Sequence, residues 1–369
     1  MKEKIESRNY ARHFEWRRQD IIFNYQSSIF NYLMSFYQSD LRRTINQDIY
    51  KKPTFETTIA GKEYFGIVKS QRRLGKTLNR YMIHGIQWIT LEKDNKELLE
   101  TVKHIRRDFG ATRGDIFFQI GFLDEKDHLW TTELKGDDKK SGALRKDKEK
   151  LDAMMRDQYE MLPSWREHMP DTTVKIPLDG WIQEIRRGYS KSGKRYINKA
   201  KKEDLHFEIS TKRDRKRFRE TRYTMSYDKG FAITPKEQFL DLMEYLTEND
   251  LWWLMLAKKW GTLVSGSLIL EHKKEGWGKE LIYLYGATNR EFGNIGGHYW
   301  LKDQIMKWWA DKGYESLDLL WVAPPWVEEH YLKGVSRFKQ AFGGEMVISS
   351  GNYDLVFNSK LYRLMQVLA

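Results

Sequence analysis

The residues from 334 to 344 carry the clearest indication of chemistry in this sequence. Lys339 stands between Phe338 and Phe342, and the run closes on two glycines. Aromatic side chains can hold an ammonium against apolar walls, and glycine allows backbone conformations that other residues avoid. Such a place can stabilise a negative charge. The alternative is a helix end with a glycine stop, in which both rings are buried and Lys339 points into water.

Three other residues are candidates for binding an acceptor. Tyr283 and Tyr285 alternate on one predicted strand, so their side chains should share a face and could line a cleft. The same pattern fits two tyrosines of the core. Asp318 ends another predicted strand, where its carboxylate could orient an attacking amine or cap the next turn.

The segment from Lys191 to Arg222 is strongly basic, with 13 lysines and arginines against 5 acids. Tyr196 and Phe218 lie among these charges, and Tyr189 precedes them. Cations can follow a phosphate backbone while rings stack on unpaired bases, which predicts contact with single-stranded RNA or the end of a tRNA. A solvated helix face explains the charges equally well. The residues predicted to contact RNA are Lys194, Arg195, Lys199, Lys201, Lys202 and Arg337.

Composition bounds the class of protein. The 369 residues carry a formal net charge of +12, which favours a polyanionic partner such as nucleic acid, anionic lipid or a phosphorylated substrate. Hydrophobic residues make up 40% of the chain, and this content and the length predict a globular protein of two domains. Cysteine is absent and the 9 histidines show no paired spacing, so we expect neither metal nor cofactor. No long apolar run or apolar leader is evident, which predicts a cytoplasmic location.

The order of predicted elements occurs twice, about 200 residues apart. Two strands after Gly61 are followed by a helix near 97–109 and a strand near 115–120. Two strands after Gly261 are followed by a helix near 298–312 and a strand near 317–320. Duplication of a strand, strand, helix, strand unit explains this match. The charged stretch at about 133–159 is predicted to be an insertion outside the core, with a polar helix from 143 to 159.

Two glycine-containing motifs are candidates for binding phosphate groups. Leu74–Thr77 resembles the end of a phosphate loop, but Ser70 stands where that motif requires glycine, which argues against nucleotide hydrolysis. The segment 290–297 lies where an acetyltransferase binds the pyrophosphate of coenzyme A through backbone amides at a helix start. Ile295 replaces the usual small residue there, yet an acyl-CoA-dependent N-acyltransferase stays open as an alternative.

Together with Leu317–Pro325 and Gly351–Phe357, the run 334–344 resembles the closing signature of the Fem family. These proteins are aminoacyl-tRNA-dependent transferases that build peptidoglycan cross-bridges. The resemblance follows the family's order over most of the chain after about residue 165. The further segments that carry it are Pro170–Thr173, Arg195–Ala200, Thr224–Phe231, Tyr283–Ala287 and, more faintly, Asn24–Ser28.

The resemblance implies an α/β (α+β) fold of tandem acetyltransferase-like (GNAT-like) domains, each with a mixed sheet flanked by helices. Residues 1–169 would form the first domain, joined by about 346–369, which return to pack on it. Residues 170–345 would form the second domain.

The resemblance also implies roles for individual residues. Lys339 matches the family's key position, and the lysine, presented by the neighbouring Phe338 as a second predicted catalytic residue, would hold the tRNA terminal phosphates or counter the developing oxyanion. Members that bind the nucleotide-linked muramyl pentapeptide hold its diphosphate with two basic residues, which here fall near Met34 and Asp228. Lys229 is the adjacent candidate. Trp321 stands where the family generally has glycine and would narrow an acceptor cleft.

The implied reaction moves an amino acid from aminoacyl-tRNA to an amine of a peptidoglycan precursor peptide, in cell wall biogenesis. The acceptor would be UDP-MurNAc-peptide or lipid II, and a lipid-linked acceptor would bring the protein into peripheral contact with a membrane. We expect a monomer. The alternatives are the acyl-CoA-dependent enzyme and a non-catalytic RNA-binding module that retained the basic groove.

Overall fold

The computed structural model describes residues 47, 52–59, 62–73, 76–86, 95–110, 115–122, 130–133, 138–165, 172–210, 214–229, 233–248, 252–273, 279–310 and 312–368. Several positions named above lie outside these ranges. They are Asn24–Ser28, Met34, Gly61, Leu74 and Gly75, Pro170 and Asp171, and Gly230 and Phe231, together with the side chain of Lys229.

Strands and helices alternate along the described part of the chain. The strands are β1 (Thr54–Ile59), β2 (Lys62–Arg73), β3 (Lys76–Ile86), β4 (Asp115–Phe122), β5 (Trp130–Glu133), β6 (Met161–Pro163), β7 (Thr172–Pro177), β8 (His206–Ile209), β9 (Trp252–Lys259), β10 (Thr262–Lys273), β11 (Lys279–Thr288), β12 (Tyr314–Asp318), β13 (Glu345–Ile348) and β14 (Gly351–Val356). The helices are α1 (Lys96–Phe109), α2 (Asp138–Tyr159), α3 (Ile182–Arg187), α4 (Lys191–Ala200), α5 (Asp214–Lys229), α6 (Lys236–Glu248), α7 (Gly297–Trp309), α8 (Lys333–Gln340) and α9 (Ser359–Leu368).

The chain forms two compact units. The C-terminal unit consists of Val174–Val322 and Leu332–Glu345. The N-terminal unit contains the described residues before 174, together with Ala323–Tyr331 and Met346–Ala369. Among the described residues, we find no helix with the length and apolar content needed to cross a membrane.

A mixed sheet organises the N-terminal unit. Its strands run in the order β1-β2-β3-β4-β14-β6, and β3 and β4 are parallel while the other neighbours are antiparallel. The strand β14, from the end of the chain, lies between β4 and β6. Asn95 caps the start of helix α1, and its side chain accepts the backbone N–H of Leu98. It buries Leu98, Val102 and Ile105 in the core of this unit, because these positions recur at helical spacing.

The C-terminal unit repeats the same arrangement of elements. Within this unit the strands run in the order β7-β12-β11-β10-β9-β8, in which β11 and β12 are parallel and every other neighbouring pair is antiparallel. The pairings within β2-β3-α1-β4 therefore match those within β10-β11-α7-β12. The predicted repetition of strand, strand, helix and strand is confirmed.

The prediction that about 133–159 stand outside the core is wrong for the second half of α2. Leu151, Met155 and Tyr159 are buried among the core residues of the N-terminal unit. They are spaced four residues apart and so form one apolar stripe along the helix. The many charges of this segment lie around that stripe and concealed it in the sequence.

The two faces of the C-terminal sheet carry different helices. The Cα of Gly266 on β10 faces Phe218 of α5, while the next residue, Ser267, contacts Lys302 of α7. Successive residues of a strand point to opposite faces, so α5 and α7 lie on opposite sides of this sheet. A strand residue can therefore contact α7 only if its side chain points to the α7 side of the sheet.

Candidate active site

The turn after β12 places two backbone carbonyls side by side. Asp318 ends the strand, and its Oδ1 accepts the backbone N–H of Leu320 at 2.7 Å. Leu320 has a φ of 56°, in the left-handed region that residues other than glycine seldom adopt. Such a conformation costs roughly 1–2 kcal/mol and has to be held by its surroundings. Two roles were considered for Asp318, and this hydrogen bond shows the second of them, in which the carboxylate caps the next turn.

Lys339, in the last turn of α8, reaches this turn. Its Nζ donates to the carbonyl oxygens of Leu320 at 2.9 Å and Trp321 at 2.8 Å. The side chain is buried, with 7% of the residue exposed. The alternative in which Lys339 points into water is therefore wrong. Aromatic rings were expected to hold this amine. Its hydrogen-bond partners are instead two backbone carbonyls, because the strained turn directs their oxygens toward Nζ.

Burial changes the acidity of this amine. Removal from water disfavours the charged form and lowers the pKa of Lys339 to about 7, although the nearby Asp318 carboxylate raises it. At neutral pH the charged and neutral amine are therefore comparably populated. An ordinary exposed lysine would be almost entirely charged.

A second buried lysine, Lys302, lies in the same unit and was not among the residues predicted from the sequence. Its Nζ is 3.0 Å from the centroid of the Tyr283 ring and 3.4 Å from the Oγ of Ser267. Burial, and then the positive charge of Lys339, lower the pKa of Lys302 well below its usual value. The sequence contains only a weak indication that Lys302 is buried, because it follows Leu301 in a helix whose buried residues are mostly apolar.

Tyr283 and Tyr285 do not share a face. In the pairing of β11 with β10, Tyr285 lies opposite Leu268 and Tyr283 lies opposite Ile269, so Leu284 is the extra residue of a β-bulge. The bulge reverses the alternation, and the prediction of one cleft lined by both tyrosines is wrong. Tyr283 contacts Lys302, on the side of α7.

Tyr285 belongs to the opposite side of the sheet. Its ring lies 3.8 Å from the guanidinium carbon of Arg222 and packs near Phe239, and its hydroxyl is 3.4 Å from that of Thr234. The residue is buried, with 3% exposed. Its contacts are those of a core tyrosine.

Phe338 extends the site through a series of aromatic contacts. Its half-buried ring lies 5.0 Å from that of Tyr299, which stacks on Tyr196 of α4 at 4.7 Å with an interplanar angle of 16°. The guanidinium carbon of Arg195 is 5.1 Å from the centroid of the Tyr196 ring. We call Phe338, Tyr299 and Tyr196 the aromatic series. It connects the residue beside Lys339 with the basic helix α4.

Helix α4 has one buried and one charged side. Ser190 caps its start with a hydroxyl that accepts the backbone N–H of Gly193, and the helix buries Gly193, Ile197 and Ala200. This spacing leaves its cations outside. The predicted RNA contacts Lys194, Arg195, Lys199, Lys201, Lys202 and, on α8, Arg337 are all exposed. Lys199 also donates to the carbonyl oxygen of Asn294.

The remaining predicted acceptor contacts are Trp321 and Lys229. Trp321 is buried, with 4% exposed, and presents its carbonyl oxygen to Lys339. Asp228, where the family places a basic residue, pairs with Arg290 at 3.3 Å. The side chain of the adjacent Lys229 lies outside the described residues, so its proposed contact with a diphosphate stays a prediction.

The glycine-containing loop before α7 is covered on one side by α4. A side chain at Gly296, which has a φ of 80°, would lie 2.5 Å from the carbonyl oxygen of Tyr196. The contact between Lys199 and Asn294 holds the same two segments together. This packing fixes the loop against α4, and the acyl-CoA alternative stays open.

Comparison with known proteins finds a family model that matches the C-terminal part of the chain and a solved structure with a similar fold. The model of the FemAB family matches residues 256–369, which include Lys339 and Phe338. The crystal structure of FemX superposes with a TM-score of 0.57 at 15% identity, covering 88% of this chain and 93% of FemX. No curated protein matches the sequence.

Two other solved structures illustrate the range of similarity. The C-terminal domain of a putative lysylphosphatidylglycerol synthetase from Agrobacterium fabrum is 12% identical, covers 94% of this chain and 96% of its own, and gives a TM-score of 0.48. A GNAT family acetyltransferase from Staphylococcus aureus is 13% identical, covers 34% of this chain and 93% of its own, and gives a TM-score of 0.28. The predicted fold class, α/β with mixed sheets flanked by helices, is confirmed by the two sheets and by the FemX match.

Proposed function

We propose that this chain, whose residues 256–369 match the model of the FemAB family, transfers an amino acid from aminoacyl-tRNA to an amine of a peptidoglycan precursor peptide. The family match supports the coarser statement, a transferase of peptidoglycan cross-bridge synthesis. The tRNA donor and the precursor acceptor are the finer parts of the proposal. They rest on the chemistry of the residues around Lys339.

The observation that carries the proposal is the buried amine of Lys339, held by the carbonyls of Leu320 and Trp321 within the family match. An aminoacyl-tRNA is already an activated ester. Its transfer to an amine requires the reactants to be brought together and the tetrahedral oxyanion to be stabilised. A cation held in a poorly hydrated place acts more strongly on such an oxyanion than one in water, because less solvent screens it.

The surroundings of Lys339 fit the end of a tRNA as the donor. Exposed cations on α4 can contact phosphates, while Phe338, Tyr299 and Tyr196 provide rings next to them. Unpaired bases stack on such rings, and a tRNA presents unpaired bases next to its aminoacyl ester. Phe338 is the member of the aromatic series adjacent to Lys339, so a stacked terminal base would bring the ester close to this amine.

A transfer assay with labelled donors tests the proposal. Purified protein is incubated with radiolabelled aminoacyl-tRNA or radiolabelled acetyl-CoA, each with UDP-MurNAc-pentapeptide or with lipid II. We expect label to move to a precursor only from the aminoacyl-tRNA, and a set of charged tRNAs then identifies the amino acid. Transfer from acetyl-CoA alone would favour the acyl-CoA enzyme. Binding of tRNA without transfer to any amine would favour the RNA-binding module.

A further inference from the structure

The hairpin between β9 and β10 carries an exposed tryptophan at its tip. Lys259 pairs with Thr262, so Trp260 and Gly261 form a two-residue loop. Trp260 is 77% exposed, and the amine of Lys259 lies 4.6 Å from the centroid of its ring. Because so little of the indole is removed from water, its burial contributes little to the stability of the folded protein.

The backbone of this loop is unfavourable for tryptophan. Trp260 has a φ of 52° and Gly261 has a φ of 72°. Two-residue hairpin loops with positive φ at both positions favour asparagine followed by glycine, because asparagine tolerates this conformation better than a bulky residue does. Tryptophan at the first position therefore opposes the local preference and gains no burial in return. Residues that do so are typical of functional sites.

Lys259 places the indole beside the end of the basic helix α4. The preceding residue, Lys258, is bound by Asp214 of α5 at 3.1 Å, so Lys259 points to the opposite side of the sheet, which carries α7. The amine of Lys259 lies 2.8 Å from a carboxylate oxygen of Glu203, three residues after the end of α4. The same amine contacts the Trp260 ring. One side chain thus links the end of α4 to the tip of the hairpin.

Rings and exposed cations lead from the aromatic series to this position. Tyr196, four residues before the end of α4, stacks on Tyr299 of α7. Lys201 and Lys202 follow the helix and are exposed. An RNA strand that passes the aromatic series and follows α4 therefore reaches Trp260.

RNA and a membrane surface are the two partners that suit an exposed tryptophan near lysines. Indole rings favour the interface of a lipid bilayer, and they also stack on nucleotide bases. The position of this ring favours RNA, because Lys259 holds it next to the cations of α4, on the side of the sheet that carries the aromatic series.

We propose that Trp260 stacks on a base at the acceptor end of the tRNA, farther from the ester than the base that stacks on Phe338. This inference rests on the proposed transfer from aminoacyl-tRNA. Such stacking contributes affinity whichever base is present, because every base has a π face. Trp260 therefore strengthens binding of the donor and takes no part in the chemical step.

The first test measures binding of fluorescently labelled, uncharged tRNA by anisotropy and does not depend on enzymatic activity. We expect Trp260→Asn to weaken binding by roughly 5- to 150-fold, the effect of losing one stacked base, and Trp260→Phe to keep most of the affinity. The denaturant midpoint of Trp260→Asn should equal or exceed that of wild type, because asparagine suits the turn. The control is Trp181→Asn, which removes a 67% exposed tryptophan at the N-cap of α3 and should leave the affinity unchanged.

Unchanged tRNA affinity in folded Trp260→Asn would overturn the inference, and so would equal weakening in Trp181→Asn. An RNA hairpin that contains only the acceptor stem and its unpaired end should show the same loss with Trp260→Asn as the whole tRNA. A loss that is seen with the whole tRNA alone would contradict a contact at the acceptor end. Vesicles that contain phosphatidylglycerol test the other partner. If Trp260→Asn lost vesicle binding and kept its tRNA affinity, the ring would belong to a membrane contact and the inference would be wrong.

The second test uses the transfer reaction. The KM for aminoacyl-tRNA should rise in Trp260→Asn while kcat stays close to that of wild type, because the ring acts only on donor binding. A lower kcat with unchanged KM would contradict this role. Transfer by wild type with an unaltered KM in Trp260→Asn would count against this inference alone. Absence of tRNA binding by wild type would count against the proposed function as well.

Discussion

The hydroxyl of Tyr283 lies directly over the Cα of Gly286, where a Cβ would overlap it. This close approach follows from the bulge at Leu284, which brings residues 283 and 286 to the same side of β11. The Tyr283 ring in turn covers the amine of Lys302. Gly286 thus allows the tyrosine to hold its position over the buried lysine.

Substitution of Gly286 should displace that tyrosine. We expect Gly286→Ala to lower the free energy of unfolding by about 1–3 kcal/mol, the usual cost of forcing extra atoms into a packed site. Gly334→Ala is the control, because a Cβ at Gly334 in α8 would meet no atom within 4 Å and alanine is the better helix former. Chemical unfolding of both variants measures the difference. Equal stability of Gly286→Ala and wild type would show that Tyr283 moves freely.

The buried carboxyl of Asp354 should make the stability of the folded protein depend on pH. This buried carboxylate of β14 accepts hydrogen bonds from Gln119 at 3.0 Å, Ser164 at 2.9 Å and Tyr362 at 2.8 Å. Burial raises its pKa to about 6 from the usual 3.8, despite these donors. A carboxyl with a raised pKa contributes stability that is complete below its unfolded pKa and is lost as the pH rises through its folded pKa.

Comparison with Asp354→Asn isolates this contribution. Because the amide does not titrate, the unfolding free energy of wild type relative to Asp354→Asn should fall by roughly 2 kcal/mol between pH 4 and pH 7. Denaturant midpoints at each pH provide the measurement. A difference that stays constant, or grows as the pH rises, would refute the role assigned to this carboxyl.

The basic side of α4 predicts salt-dependent tRNA binding. Lys194 and Lys202 are exposed, and we expect the double variant Lys194→Glu, Lys202→Glu to bind tRNA more weakly. The slope of log affinity against log salt should also decrease in magnitude by about one for each phosphate that the variant no longer neutralises. The control is Lys307→Glu with Lys312→Glu, which makes the same change in net charge on the same unit. Equal weakening in the two double variants would indicate an effect of net charge alone.

Much of the fold was accessible from the sequence because it depends on local pattern. The repeated order of strands and helices follows from hydrophobic spacing. In the structure, the two copies are β2-β3-α1-β4 and β10-β11-α7-β12. The place of β14 beside β4 depends on a pairing between residues more than 200 positions apart, which no local pattern specifies. The buried stripe of α2 was hidden because Leu151, Met155 and Tyr159 are few among many charges.

Only part of the site could be predicted from the sequence, for two physical reasons. Lys339 and Phe338 stand in a recognisable run, but the carbonyls that bind the lysine belong to a turn about twenty residues earlier. A single extra residue, Leu284, separated Tyr283 from Tyr285, and alternation in a strand gives no warning of a bulge. Lys302 had no motif, because its environment is made by three-dimensional packing against β10 and β11.

The role of Lys339 is tested most directly by single-turnover transfer from aminoacyl-tRNA to a precursor peptide, measured for wild type, Lys339→Met and the exposed control Lys333→Met. Near-ultraviolet circular dichroism checks that each variant keeps its packing. We expect Lys339→Met to slow transfer by roughly a hundred- to a thousandfold, the usual effect of losing one group that stabilises an oxyanion. Lys333→Met should stay close to wild type. Transfer by folded Lys339→Met at a rate near that of wild type would refute the role of Lys339.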